Sequence, residues 1–273
     1  MYVLFIGDIV GKPGLRAIAS VLPFLRDQYD VELIIANAEN ISDGKGVTRS
    51  DATALFDLGI DVLTNGNHAW DKKEVFDYIK TEPRLLRPHN YPVASPGSGW
   101  YIFTTRKGQK IGILNLLGNI FMPSGLDCPF AVADRVLAEK TDDISAVIVD
   151  MHAEAASEKI AMGWHLDGKV SAVVGTHTHV PTADECILPN GTGYITDVGM
   201  SGCYDSIVGL DTEKMLRCLI EKKSEQMAVA SGEGTLCAAM LDLDETTGQC
   251  REIKRIRFNE SDRGNGLNAV HLI

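Results

Sequence analysis

The 273-residue sequence has no C-x-x-C pair, and its six cysteines (Cys128, Cys186, Cys203, Cys218, Cys237 and Cys250) lie at least thirteen positions apart. That absence excludes a zinc ribbon or a redox dithiol and leaves buried or free thiols in a reducing compartment. No stretch approaches the roughly 20 apolar residues that a membrane helix needs. The apolar start at residues 1–6 is too short for a signal h-region and lacks a basic n-region. The expectation is a soluble, cytoplasmic protein without a membrane partner. Positive charge is also scarce, with 26 Lys and Arg against 37 Asp and Glu and a net charge of −11. A duplex nucleic-acid binder would want a basic face, so that partner is excluded. A nucleotide substrate stays open, because bound cations can supply positive charge locally. Internal repeats, low-complexity segments and linkers rich in Pro or Ser are absent too. With 45% hydrophobic residues, residues 1–273 read as one domain with a sizeable core.

What is present is a rhythm. Residues 2–6 form an apolar run ending at Gly7-Asp8, and Pro13 opens a helical stretch over 13–29. Residues 31–36 read as a second strand ending at Asn37-Ala38-Glu39-Asn40, followed by the loop Gly44-Lys45-Gly46. Thr48 and Asp51 resemble a capping box for a helix that Gly59 closes. A third strand over 60–64 ends at Asn65-Gly66-Asn67-His68, and a helix is expected over about 72–80. This βαβαβα order predicts parallel strands with right-handed crossovers. Hairpins are then expected at 101–116, 185–196 and 236–258, with helices over 130–140, 154–166 and 211–222. Strands over 144–149 and 170–175 lead to Asp150-Met151-His152 and to Thr176-His177-Thr178-His179. Parallel strands early and hairpins late favour two packed sheets with helices outside.

The strand ends carry the chemistry. In parallel α/β sheets the carboxyl ends of strands face one crevice. Here those ends offer Asp8, Glu39 with Asn40, Asn67 with His68, His152, and His177 with His179. Two histidines two apart at a strand end project the same way, and side-by-side imidazoles suggest metal ligation. Each residue has an ordinary alternative. Asp8 can cap the following helix, Asn40, Asn65 and Asn67 can serve turns, His68 can be a turn residue, and His152 can be a core histidine. Five strand ends all bearing O or N ligands make those alternatives poor together. Carboxylates, amides and imidazoles without thiolate suit Mn, Fe or Zn rather than Cu(I) or an iron–sulfur cluster. One carboxylate with histidines enough for two half-shells suggests a two-metal site, its ions roughly 3.5–4 Å apart, as in phosphoester hydrolysis.

These blocks resemble, in order, those of the calcineurin-like metallophosphoesterases: Gly7-Asp8, Asn37-Ala38-Glu39-Asn40, Gly66-Asn67-His68, His152 and Gly175-Thr176-His177-Thr178-His179. Closer still is the YmdB-like branch, with Gly7-Asp8-Ile9-Val10-Gly11, Gly66-Asn67-His68-Ala69-Trp70-Asp71 and Thr196-Asp197-Val198-Gly199-Met200. The resemblance runs over nearly the whole chain. It implies a four-layer αββα sandwich with two mixed β-sheets and a dinuclear phosphodiesterase, whose branch acts on 2′,3′-cyclic nucleotides. The chain departs from the wider superfamily at Val10, where a His is usual, and at Glu39, where the bridging residue is usually Asp. The branch shares both departures, and by its pattern Asn40 substitutes for the missing His.

By that resemblance one metal takes Asp8, Glu39, Asn40 and His179, and the other takes Glu39, Asn67, His152 and His177, with Glu39 bridging. Two transition-metal ions are implied, iron or manganese, with zinc as the alternative. A bridging hydroxide would attack phosphorus in line while His68 donates a proton to the departing ribose oxygen. Lys45 reads as a solvated loop lysine. Residues 201–206 either shape the pocket or connect elements, and His89, His165 and His271 stay unassigned. Competing readings are a broader phosphomonoesterase or phosphodiesterase on the same scaffold, a metal-dependent amidohydrolase, and a non-catalytic cyclic-nucleotide-binding regulator. The amidohydrolase fits less well, because its His-x-His pair usually follows the first strand of a barrel. The oligomeric state, a homo-oligomer included, is left open.

Overall fold

The structure, a computed structural model, describes residues 1–222 and 225–264, so His271 lies outside the described residues. Its first half contains β1 (Tyr2–Ile6), β2 (Asp8–Ile9), α1 (Gly11–Gln28), β3 (Val31–Asn37), α2 (Arg49–Asp57), β4 (Val62–Thr64), α3 (Val75–Tyr78), β5 (Trp100–Thr104) and β6 (Lys110–Leu117). Then come α4 (Pro129–Glu139), β7 (Ile144–His152), α5 (Ala156–Leu166), β8 (Ala172–Thr176), β9 (Cys186–Ile187), β10 (Gly193–Ile195), β11 (Met200–Cys203), α6 (Thr212–Glu221), β12 (Gly234–Leu243) and β13 (Cys250–Asn259).

Two mixed sheets result. The first runs β2-β11-β12-β1-β3-β4, with β13 paired to β12, and the second runs β5-β6-β7-β8-β10-β9. β1, β3 and β4 are mutually parallel, as are β6, β7, β8 and β10. Alternation along each strand sorts its side chains between cores. Val3 and Phe5 of β1 join Leu33 and Ile35 of β3 and meet Ile111, Ile113 and Ile148 of the second sheet. Leu4 and Ile6 point the other way, onto Ile18, Leu22 and Leu55 of α1 and α2. On the far side Val147 and Val149 pack under Val132 of α4 and Met162 of α5. The layers are therefore helix, sheet, sheet, helix, the expected αββα sandwich. Each such large apolar side chain, once fully buried, contributes roughly 1.5–3 kcal/mol.

Three local expectations need correction. The helix over 72–80 is one turn, Val75–Tyr78. The aromatic and β-branched residues there lose side-chain freedom in a helix, and the carboxylate of Asp71 turns back onto the His68 ring. Residues 201–203, expected in a loop, belong to β11, which pairs with both β12 and β2. Its Met-Ser-Gly-Cys sequence carries no alternation to betray it. β7 runs three residues further than expected, to His152, so that imidazole sits on a strand. The capping box on α2 forms as read. No helix among the described residues is long and apolar enough to cross a membrane.

Candidate metal centre

The carboxyl ends of β1, β3 and β4 in one sheet and of β7 and β8 in the other meet at one edge of the sandwich. Asp8, Glu39, Asn40 and His152 are buried there. Around the Nε2 of His152 three atoms converge: Glu39 Oε1 at 3.0 Å, Asn67 Oδ1 at 3.2 Å and His177 Nδ1 at 3.0 Å. Beside them His179 Nε2 lies 3.3 Å from Asn40 Oδ1 and 4.0 Å from Asp8 Oδ1. All seven residues proposed from the sequence are thus brought together, with His68 next to Asn67.

Asn40, Asn67 and His68 do lie in turns, but the capping alternative fails for Asp8. Asp8 does not cap α1, whose N-cap is Val10 without a side-chain bond. Its Oδ1 is buried with no hydrogen-bond partner, which is costly for a carboxylate oxygen. Lone pairs outnumber protons around His152, and a single ring nitrogen cannot serve three such neighbours. An orphaned carboxylate oxygen beside a converging set of carboxylate, amide and imidazole atoms suits transition-metal cations. Glu39, His152 and His177 each offer a ligand atom within 4.8 Å of the other two.

Electrostatics follow from the same packing. Burial opposes a charged Glu39, yet the His152 ring and the His68 main-chain N–H, 2.9 Å from its Oε2, hold it down to about 2. Burial likewise opposes a charged His152, but Glu39, Asp8 and Asp150 hold it up to about 9. The opposite shifts are two sides of one contact, Glu39 Oε1 to His152 Nε2 at 3.0 Å, in the position where a cation between the same atoms would displace a ring proton. Burial pushes Asp8 up, and burial with the neighbouring His152 pushes His177 down to about 3.

Each imidazole has its other nitrogen occupied, which fixes the tautomer. His152 Nδ1 lies 2.8 Å from Thr176 Oγ1, and that hydroxyl donates to Asp150 Oδ1 over 2.7 Å. His177 Nε2 meets Glu154 Oε2 at 2.9 Å, and His179 Nδ1 meets the Val208 carbonyl at 2.8 Å. Gly66 makes room for the His152 ring, since a Cβ there would sit 2.1 Å from its Cδ2. The paired histidines are not aimed by strand alternation. β8 stops at Thr176, and both lie beyond it with positive φ, 105° and 65°. Such conformations cost of order 1–3 kcal/mol each in a non-glycine residue.

The profile of the YmdB-like protein family matches residues 4–256. The chain belongs to the YmdB-like family. Within that family a Bacillus subtilis protein named 2′,3′-cyclic-nucleotide 2′-phosphodiesterase is 45% identical over 95% of this chain and 98% of its own. Among solved structures, a hypothetical protein from Thermus thermophilus superposes with a TM-score of 0.89 at 42% identity, covering 95% and 99% of the two chains. A Mycoplasma pneumoniae protein described as a novel phosphatase gives 0.89 at 34% identity over 95% and 93%.

The YmdB-like centre opens into a cleft of about 840 Å³, lined among others by Glu39, Asn40, Lys45, His68, His177 and His179. His68 Nδ1 lies 2.9 Å from Asp71 Oδ2, leaving Nε2 as the nitrogen available to a bound molecule. Lys45, read as a solvated loop residue, is exposed and also faces this cleft, as does Lys72. Asn65 serves structure, donating to the Leu86 carbonyl over 2.8 Å. His89 and His165 lie elsewhere, accepting from Gly99 N and paired with Asp134. Sequence reading missed Glu154, Asp150 and Thr176. The available signal was their position beside the candidate ligands, at or just after strand ends.

Proposed function

We propose that the chain is a metal-dependent phosphodiesterase that hydrolyses 2′,3′-cyclic nucleotides. The observation that carries this reading is the convergence of Glu39, Asn67 and His177 on the His152 Nε2 at the floor of an open cleft. The substrate class comes from the name of the Bacillus subtilis relative, and the reaction is that of a phosphoric diester hydrolase. Asp8, Glu39, Asn40 and His179 would hold one ion and Glu39, Asn67, His152 and His177 the second, with Glu39 shared. The ions are iron or manganese, zinc being the alternative for the same donors. When bound they supply Lewis acidity toward the phosphoryl oxygens and acidify a water nucleophile.

The chain's own groups do the rest. Water adds to phosphorus, the P–O2′ bond breaks, and the departing 2′-oxygen takes a proton from His68 Nε2. Asp71 orients that ring through Nδ1. A positioned acid of this kind contributes about 10²–10⁴-fold. Lys45 and Lys72 put positive charge on the cleft wall for the phosphate. The working compartment is the cytoplasm, where six free thiols persist.

A panel of 2′,3′-cyclic nucleotides, 3′,5′-cyclic nucleotides and phosphomonoesters, with metal content measured on the same sample, tests the proposal. Turnover of the 2′,3′ ring alone, giving the 3′-phosphate, is the expected result. Equal turnover of monoesters would replace it with a broader phosphoesterase. Nucleotide binding without turnover would make the protein a regulator.

A further inference from the structure

Residues 196–199 carry the chain from β10 in the second sheet to β11 in the first, directly behind the paired histidines. Asp197, in that passage, and Lys159, on the inner face of α5, are both fully buried, with Nζ 2.7 Å from Asp197 Oδ2. A buried ion pair is a poor source of stability, because apolar residues of similar volume do as well or better. The other bonds of this carboxylate indicate what it does. The same Oδ2 accepts from Thr178 N at 3.0 Å and from Thr178 Oγ1 at 2.8 Å, while Oδ1 accepts from Gly199 N at 2.8 Å. Thr178 stands between the two imidazoles whose backbone takes positive φ. The packing behind is tight. A Cβ on Gly175 would meet Thr196 O at 1.8 Å and Lys159 Cδ at 2.8 Å, so the lysine stem fills the space under the loop.

We propose that Lys159 and Asp197 are positioning residues, a buried clasp on Thr178 that holds the strained loop so that His177 and His179 face their metals together. Lys159 fixes the carboxylate from below through Oδ2, and Thr178 transmits its position to the histidine on either side. This inference rests on the metal-centre reading above.

The test is calorimetric titration of the metal-free full-length chain with Mn²⁺, beside thermal unfolding of the same metal-free samples. Thr178→Val removes the hydroxyl bond while leaving the ion pair and the Thr178 N–H bond in place. Its Mn²⁺ dissociation constant should rise about 10-fold or more, within the range seen for groups that orient metal ligands, with the unfolding midpoint unchanged. Thr178→Ser should restore wild-type affinity. The paired variant Lys159→Met with Asp197→Leu should unfold near the wild-type midpoint and bind Mn²⁺ still more weakly. Unchanged Mn²⁺ affinity in Thr178→Val, whatever its midpoint, would overturn the clasp, and so would wild-type affinity in a folded paired variant. If the wild-type chain itself takes up none of Mn²⁺, Fe²⁺ and Zn²⁺ in such titrations, the metal-centre reading fails and the clasp with it.

Discussion

The two sheets contribute different halves of the centre and hold them differently. The first supplies carboxylate and amide oxygens, and main-chain groups steady two of them. His68 N donates to Glu39 Oε2 over 2.9 Å, and His177 N donates to Asp8 Oδ2 over 3.1 Å. Asn40 is held from its own side, Nδ2 donating to the Gly44 carbonyl over 3.0 Å. The second sheet supplies imidazoles, and a different group occupies the far nitrogen of each: a hydroxyl, a carboxylate and a carbonyl. The reason is chemical. A carboxylate presents two equivalent oxygens and tolerates rotation, whereas an imidazole is a ligand only in the right tautomer and plane. The oxygen side can be built from turns, while the nitrogen side needs a layer of support beneath it.

Three substitutions break or sharpen that contrast. The largest effect belongs to Glu39→Ala. One oxygen-side residue is shared by both ions in the proposed centre, so elemental analysis should find the variant without bound metal. A variant carrying two metals per chain would contradict the sharing. Next is His68→Ala, which removes a group from the oxygen side that holds no metal. Metal content should stay at the wild-type level while turnover falls about 10²–10⁴-fold. Full activity on a substrate with a poor leaving group would remove His68 from the reaction. The smallest is Glu154→Ala, which frees the far nitrogen of His177. Metal affinity, read by titration, should weaken about 10–100-fold. No change there would mean that the imidazole side needs no such support, and the contrast itself would fall.

Much of this was legible from the sequence, for a physical reason. Buried parallel strands are continuous apolar runs, so β1, β3, β4, β7 and β8 announced themselves, and the residues at the end of each run had to meet at one edge. Hence Asp8, Glu39, Asn40, Asn67, His68, His152, His177 and His179 lie together. What supports them was not legible. Lys159 sits in an amphipathic helix, where a lysine normally reads as solvated, and its partner Asp197 comes 38 positions later in what looks like a turn. Asp150 looked like a strand-end neighbour of His152, yet it points inward to accept from Thr176 and Thr64. The positive φ of His177 and His179 leaves no mark in residue type, since neither is glycine. β11 was hidden because four small or flexible residues show no period.

Among the described residues the chain passes between the sheets twice, once over residues 65–99 and once over residues 196–199. The centre lies beside both passages, with donors from each sheet. A cation held there is therefore also a cross-link, tying Asp8 and Glu39 to histidines more than a hundred positions away. Its donors come together only in the folded chain, so the ion would bind the folded state and not the unfolded one. The free energy of metal uptake is added to the packing of one sheet on the other. Chelation should then loosen the sandwich first at this edge. The opposite edge, where the Met1 amine donates to the Leu243 carbonyl over 2.8 Å, has a closure of its own.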